Sequence, residues 1–121
     1  MAKYAHESVK GDIYHRFLNQ QNMGGLMITE PDFGSDALNM RTSNIKNGSN
    51  YHIQGTKHWQ GLTGMADYWL ITTRPKNENG VLGRDIDFFI SDNQQANQRI
   101  HVEEYYNNIG LYPIPYGKNI I

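Results

Sequence analysis

The sequence predicts an all-β fold, a barrel-like pair of packed antiparallel sheets preceded by one short α-helix, and three observations lead there. Short runs rich in β-branched and aromatic residues recur from Gly25 onward, separated by turn-forming residues at the spacing of a sandwich or barrel. An Asn47-Gly48 pair stands between two of those runs, and that dipeptide flanked by β-rich segments is the strongest local hairpin signal. Helical spacing of apolar residues is confined to the stretch before Asn22.

The helix is expected from about Tyr4 to Gln21. Val9, Ile13, Phe17 and Leu18 recur there with helical period and Tyr14 lies beside them, although Gly11 weakens the pattern. Asn22-Met23-Gly24-Gly25 should end it, because paired glycines adopt tight-turn angles at little cost. The apolar run Gly25 to Thr29 is stopped by Pro31, which cannot donate to a central ladder, so a strand runs into the loop Glu30-Pro31-Asp32-Phe33-Gly34-Ser35-Asp36. Met40 to Ile45 and Tyr51 to Trp59 then form the hairpin around Lys46-Asn47-Gly48-Ser49-Asn50. Further short strands are expected at Tyr68 to Thr73, Asp87 to Ile90, Ile100 to Tyr106 and Lys118 to Ile121. The helix has no second helix to pack on, and the last apolar strand ends with the chain, which reads as a piece cut from a larger protein.

A chain of 121 residues suits one domain, and 38% hydrophobic with 12% aromatic residues is too rich for a disordered segment. Eleven basic and twelve acidic residues are scattered to a net charge of −1, so no footprint for nucleic acid or an anionic membrane is present. The absence of cysteine excludes disulfides, thiolate chemistry and a cysteine zinc site, and it fits a reducing, cytoplasmic setting. No apolar run approaches the roughly 18 residues of a membrane span, and the first residues lack the apolar stretch of a signal peptide. The histidines at 6, 15, 52, 58 and 101 lack the spacing of a metal site, and no metal is expected.

Two stretches carry chemistry. Met27-Ile28-Thr29-Glu30-Pro31-Asp32-Phe33-Gly34-Ser35-Asp36, followed through the hairpin by Gly55-Thr56-Lys57-His58-Trp59, resembles in order and spacing the two signature stretches of the acyl-CoA dehydrogenase family. Ile109-Gly110-Leu111 is similar to that family's approach to its last β-strand, and Ser8 to Gly25 to the end of its N-terminal helical domain. The resemblance implies residues 1–22 as the trailing helix of that helical domain and residues 23–121 as the middle β-domain of a larger enzyme. It implies FAD as cofactor and an acyl-CoA thioester as substrate, with α,β-dehydrogenation as the reaction. It also implies the helical domains of the same chain, a homo-oligomer, and electron-transferring flavoprotein or oxygen as acceptor. The family's catalytic carboxylate belongs to a part this segment lacks, so no catalytic residue is expected here and the segment alone should be inert.

Met27, Ile28, Thr29, Gly34, Ser35, Trp59, Gln60 and Gly61 are the cofactor-facing candidates, and Ser35 also faces substrate. Backbone N–H groups and a hydroxyl at the strand end Ile28-Thr29 suit the flavin edge that becomes anionic on reduction. Gly34 lets backbone approach a phosphate or pantetheine, and Ser35 adds a donor. Trp59 offers a flat face to the isoalloxazine ring; by itself it would more often be a core residue, and the flanking motifs reverse that. Alternation in a strand should turn His58 away from that face.

The sequence departs from the family where many members place Ile-Thr after the tryptophan: Gln60-Gly61 stands there, with Thr63 a substitute if the loop shifts. That change keeps an acyl-CoA oxidase or related flavin oxidase open, and a non-catalytic β-barrel binding module is the reading from a different class. Glu30 and Asp36 read as structural acceptors of backbone hydrogen bonds, and Arg74 and Lys76 as solvated charges. Tyr105, Tyr106, Tyr112 and Tyr116 read as core or interface, since no base is paired with them.

Overall fold

In the computed structural model, which describes residues 5–98 and 100–121, helix α1 runs Glu7–Asn19. The expected start at Tyr4 lies outside the described residues. His6 caps α1 by accepting from the Ser8 amide, which satisfies one of the free donors of the first turn. The apolar spacing divides between two environments. Ile13 is buried and Phe17 lays its ring against Tyr68 at 5.6 Å, with Arg16 paired to Asp92 at 3.1 Å, so α1 docks on a sheet. Leu18, at 79% exposed, points away from it.

The strands are β1 (Gly24–Met27), β2 (Ser43–Asn47), β3 (Asn50–Gln54), β4 (Thr56–Gly61), β5 (Tyr68–Pro75), β6 (Asp87–Asp92), β7 (His101–Tyr106) and β8 (Tyr116–Ile120). They make two sheets that do not close into a barrel. In the larger sheet β5 is the hub: β1 pairs with it in parallel, β6 antiparallel, and its far end takes β2 in parallel through Ser43↔Arg74 and Asn44↔Pro75. That sheet is therefore mixed rather than wholly antiparallel. The segment between β1 and β5 is long enough for a crossover, because it carries a hairpin and a strand of the other sheet. The smaller sheet, β4-β8-β7, is antiparallel throughout.

Gly24 and Gly25 take part in β1 rather than in a turn, because neighbouring rings stand where their side chains would go. A Cβ on Gly24 would lie 2.8 Å from the Phe17 ring, and one on Gly25 2.2 Å from that of Trp69. The hairpin forms where expected, with Gly48-Ser49 as the two-residue loop and Gly48 at φ 61, the positive first position that matches strand twist. The run Tyr51 to Trp59 is not one strand. It divides at Gly55 between the two sheets, because the backbone there crosses directly over Thr42. The core between the sheets is Met27, Ala66, Trp69 and Ile71, flanked by Leu62, Ile100 and Ile121.

Arg74 is not a solvated charge: its Nε donates to the Gly83 carbonyl at 2.7 Å and fixes the turn after β5. A Cβ added at Gly55 would meet Thr42 Oγ1 at 2.3 Å and Thr42 Cα at 2.7 Å, whereas one at Gly34 would meet nothing within 4 Å. Gly55→Ala is therefore expected to lower stability by about 1 to 3 kcal/mol or more, and Gly34→Ala to stay within about 0.5 kcal/mol of the parent. Urea denaturation of the two variants side by side checks this.

Candidate functional site

The two motif stretches meet over one buried ion pair. Lys57, in β4, is fully buried and Glu30, just past β1, is 4% exposed, with Nζ and Oε1 3.1 Å apart. Lys57 Nζ also donates to the Ile28 carbonyl at 2.8 Å and to Thr72 Oγ1 at 3.3 Å, which ties the end of β1 to β4 and β5. Glu30 Oε1 accepts the Thr42 amide at 2.8 Å and Oε2 the Arg41 amide at 2.6 Å, so the same carboxylate anchors the chain entering β2. The structural role read for Glu30 is what its contacts describe. Lys57 is the residue the sequence reading missed, and its signal was positional. It lies two residues before Trp59 in a strand with one buried face, so alternation points either it or its neighbour into the core.

Burial alone would raise the Glu30 carboxyl. Hydrogen bonds from Thr42 and Arg41 and the charge of Lys57 outweigh it and hold the group below the usual carboxylate range. Burial lowers the Lys57 amine, and Glu30 opposes that shift.

At Trp59 the register of β4 on β8 shifts between His58 and Gln60, a β-bulge. Trp59 has φ 63 and is 53% exposed, while Gln60 is 3% exposed. The extra residue lets Lys57 and Gln60 both point inward and sends the indole outward, which simple alternation would not allow. His58 is accordingly not turned away: its ring lies 5.0 Å from that of Trp59. A left-handed tryptophan costs about 1 to 3 kcal/mol, so neighbouring contacts must hold it.

Gln60 Nε2 donates to the Thr29 carbonyl at 3.2 Å and to the His58 carbonyl at 2.5 Å, and the His58 amide donates to Thr29 O at 2.9 Å. The Gln60 side chain thus supports the backbone from inside. Asn119 Nδ2 donates to Gln60 Oε1 and to Thr63 Oγ1, each at 3.2 Å, and the Thr63 hydroxyl donates to Gln60 O at 2.7 Å. Thr63 is fully buried, so its hydroxyl is turned inward and does not take the outward position left by Gly61. Gly61 stands opposite Tyr116 in the ladder.

The other candidates fall into two groups. Met27 is fully buried, and only its backbone is placed at the strand end; Ile28 and Thr29 are half-buried beside Trp59's strand. The loop after Thr29 is closed by reciprocal amide bonds, Glu30 to Phe33 at 3.1 Å and Phe33 to Glu30 at 3.2 Å, and it presents Gly34 and Ser35 to solvent. Among the described residues, nothing lies within 4 Å of where a Cβ on Gly34 would stand. A half-exposed aromatic plane, a strand end and an open glycine next to a serine fit a flat cofactor with a phosphate-bearing tail. Beside the loop, a cleft of about 310 Å³ is lined by Glu30, Pro31, Asp32, Arg41, Thr42, Gly55, Thr56 and Lys118. Among the described residues no cluster of three or more His, Cys, Asp or Glu could hold a metal, and no helix is long and apolar enough to cross a membrane.

Comparison with known proteins gives a match over residues 25–120 to the family model "Acyl-CoA dehydrogenase, middle domain". The match includes all eight candidate residues. Among curated proteins, the cyclohexane-1-carbonyl-CoA dehydrogenase of Syntrophus aciditrophicus (strain SB) is 34% identical over 68 residues, 56% of this chain and 18% of that relative. Among solved structures, a glutaryl-coenzyme A dehydrogenase in complex with glutaryl-CoA superposes with TM-score 0.85 at 22% identity, over 99% of this chain and 29% of that one. A glutaryl-CoA dehydrogenase from Mycobacterium smegmatis in complex with FADH2 gives 0.82 at 23%, over 98% and 28%. At these identities the structures speak for the fold. The chain spans between 18% and 29% of the length of these three relatives.

Removing one partner of the buried pair leaves the other uncompensated, so Lys57→Met is expected to cost about 3 to 5 kcal/mol, and Lys57→Met with Glu30→Gln less than the sum of the two. Urea titrations read both. Because the Glu30 carboxyl is held low in the folded chain, its contribution is present above the unfolded carboxylate range and is lost as pH falls through the folded value. Stability measured from neutral pH down into the acid range should fall less steeply in Glu30→Gln than in the parent.

Proposed function

Because the chain belongs to the acyl-CoA dehydrogenase family as its middle domain, we propose that it is the flavin-facing wall of an FAD-dependent enzyme that dehydrogenates an acyl-CoA thioester between its α and β carbons. One observation carries the reading. The Thr29 strand end and the Trp59 bulge, distant in sequence, share the Thr29 carbonyl as a common acceptor at 2.9 and 3.2 Å and rest on one ion pair.

In this reading the backbone of Met27, Ile28 and Thr29 and the Thr29 hydroxyl line the flavin edge where negative charge develops, and preorganised donors are effective there. Trp59 covers the ring face, Gly34 admits the backbone to the cofactor's phosphates, and Ser35 donates to the cofactor and the thioester portion of the substrate. Gln60 contributes from beneath, since its side chain is internal, and Gly61 contributes backbone alone. FAD, when bound, supplies the acceptor for the hydride that leaves the β carbon. The Glu30 carboxylate is occupied by Lys57 and two amides and is not free to act as a base; the resemblance to the family places the base that takes the α proton in a domain outside this segment, and on that ground the segment alone is taken to be inert. The exposed Leu18 side of α1 suits packing on further helices, with residues 1–22 as the end of an N-terminal helical domain and 23–121 as the β-domain. Electron-transferring flavoprotein is the acceptor that fits dehydrogenase chemistry. Gln60 and Thr63 both turn inward, and the Tyr116 ring lies beside Gly61, 3.6 Å from where a Cβ would stand; with Gln60-Gly61 in place of Ile-Thr, an oxidase with oxygen as acceptor is the second reading.

The test uses the polypeptide that carries this segment together with its flanking helical parts. Its visible spectrum is read first, then the bleaching of the flavin band as acyl-CoAs of graded length are added without oxygen. Bleaching by one length class is the expected result, and fast reoxidation by air would select the oxidase. Absence of a flavin band, even after incubation with FAD, would leave the domain as a binding scaffold. Trp59→Ala is expected to weaken FAD retention about tenfold, taking ~1.5 kcal/mol for loss of the aromatic face, as read by the free and bound flavin after gel filtration.

A further inference from the structure

Trp59 is held by more than its backbone. Its ring lies 4.8 Å from that of Tyr106 and 5.0 Å from that of His58, and His58 Nδ1 lies 3.0 Å from the Tyr106 hydroxyl. His58 and Tyr106 themselves meet edge to face at 5.8 Å and 80°. The three rings thus close on one another by three ring contacts and one hydrogen bond. Tyr106 is the last residue of β7 and stands opposite Tyr116 in the ladder, so its backbone is fixed while its ring reaches across β8 to β4. The Gln60 bonds fix the backbone around Trp59 but leave the indole free to rotate about its own side-chain bonds. A half-exposed indole at a left-handed position would occupy several rotamers unless side contacts select one.

We propose that Tyr106 and His58 are positioning residues for Trp59, in which the Tyr106–His58 hydrogen bond locks a two-ring bracket that selects one orientation of the indole. The consequence for chemistry rests on the reading that Trp59 faces a flavin; the bracket itself does not. Among the described residues, the charged and titratable groups that face His58 are Lys118, opposite it in the ladder, and Tyr106; Lys118 in turn stands opposite Glu104 and pairs with Glu103 at 2.6 Å. Burial, and then the charge of Lys118, keep the imidazole neutral to lower pH than usual. A proton placed on His58 sets a positive charge beside the indole.

The test labels the chain with 5-fluorotryptophan and assigns the Trp59 and Trp69 resonances with Trp59→Phe. Trp59 is expected to give one narrow line in the parent, and a broadened or split line in Tyr106→Phe and in His58→Phe. The double variant should be no worse than either single one, and Trp69 should stay unchanged as a witness of folding. An unaltered Trp59 line in Tyr106→Phe overturns the proposal. Should that variant not fold, the parent still decides: between about pH 8 and 5 the Trp59 line must move with a midpoint below the ordinary histidine value of 6.5, that midpoint must rise in Lys118→Gln, and Trp69 must stay still. A Trp59 line blind to His58 protonation also overturns it. These readings need no flavin, so failure of the flavin reading, seen as a missing flavin band, is separate. With FAD bound to the longer polypeptide, Tyr106→Phe is expected to raise the dissociation constant about fivefold.

Discussion

The buried Glu30–Lys57 pair is the constraint on which the rest depends. Four segments meet at it: the residue that follows β1 through the Ile28 carbonyl, β4 through the lysine, β5 through Thr72, and the entrance to β2 through two amides. An apolar pair of the same volume could match it in stability, since removing two charges from water is costly. It could not match it in direction. Hydrogen bonds with fixed geometry set the course of the chain as it leaves β1 and as it approaches β2 at Thr42, and an apolar contact leaves both to slide. The apolar core between the sheets is small, and this polar joint occupies the place where a larger core would otherwise hold the loops.

The β-bulge at Trp59 is the second half of that device. With Lys57 committed inward, regular alternation would bury the tryptophan as well. The extra residue resolves the conflict by a left-handed backbone at one bulky side chain, and Gln60 and Asn119 stabilise the result from inside with a chain of amide hydrogen bonds. Strain and support are adjacent, as expected where an unfavourable conformation persists because its surroundings over-determine it.

Much of this was legible in the sequence where the signal is local. The hairpin followed from Asn47-Gly48, most strands from β-branched and aromatic runs, and the family from the residue types of two short stretches. What the sequence did not yield depended on partners far along the chain. Gly55 looks like any strand glycine until Thr42 lies beneath it. Gly24-Gly25 looks like a turn until Phe17 and Trp69 cover it, and Arg74 looks solvated until Gly83 folds back. The parallel pairings of β5 with β1 and β2 likewise have no local signature. The orientation of His58 was misread because alternation assumes an unbroken register, and a bulge leaves no mark in composition.

Burial of the Lys57 amine also makes it a sensor. A primary amine reacts with acylating reagents only as an exposed, unprotonated nucleophile, and this one is closed off on every side by the segments it joins. Its modification therefore waits for those segments to separate, while lysines on the surface, such as Lys46, react at once. The slow acylation of this single side chain would time the opening of the joint and would count how often, in the folded population, the two loops part company.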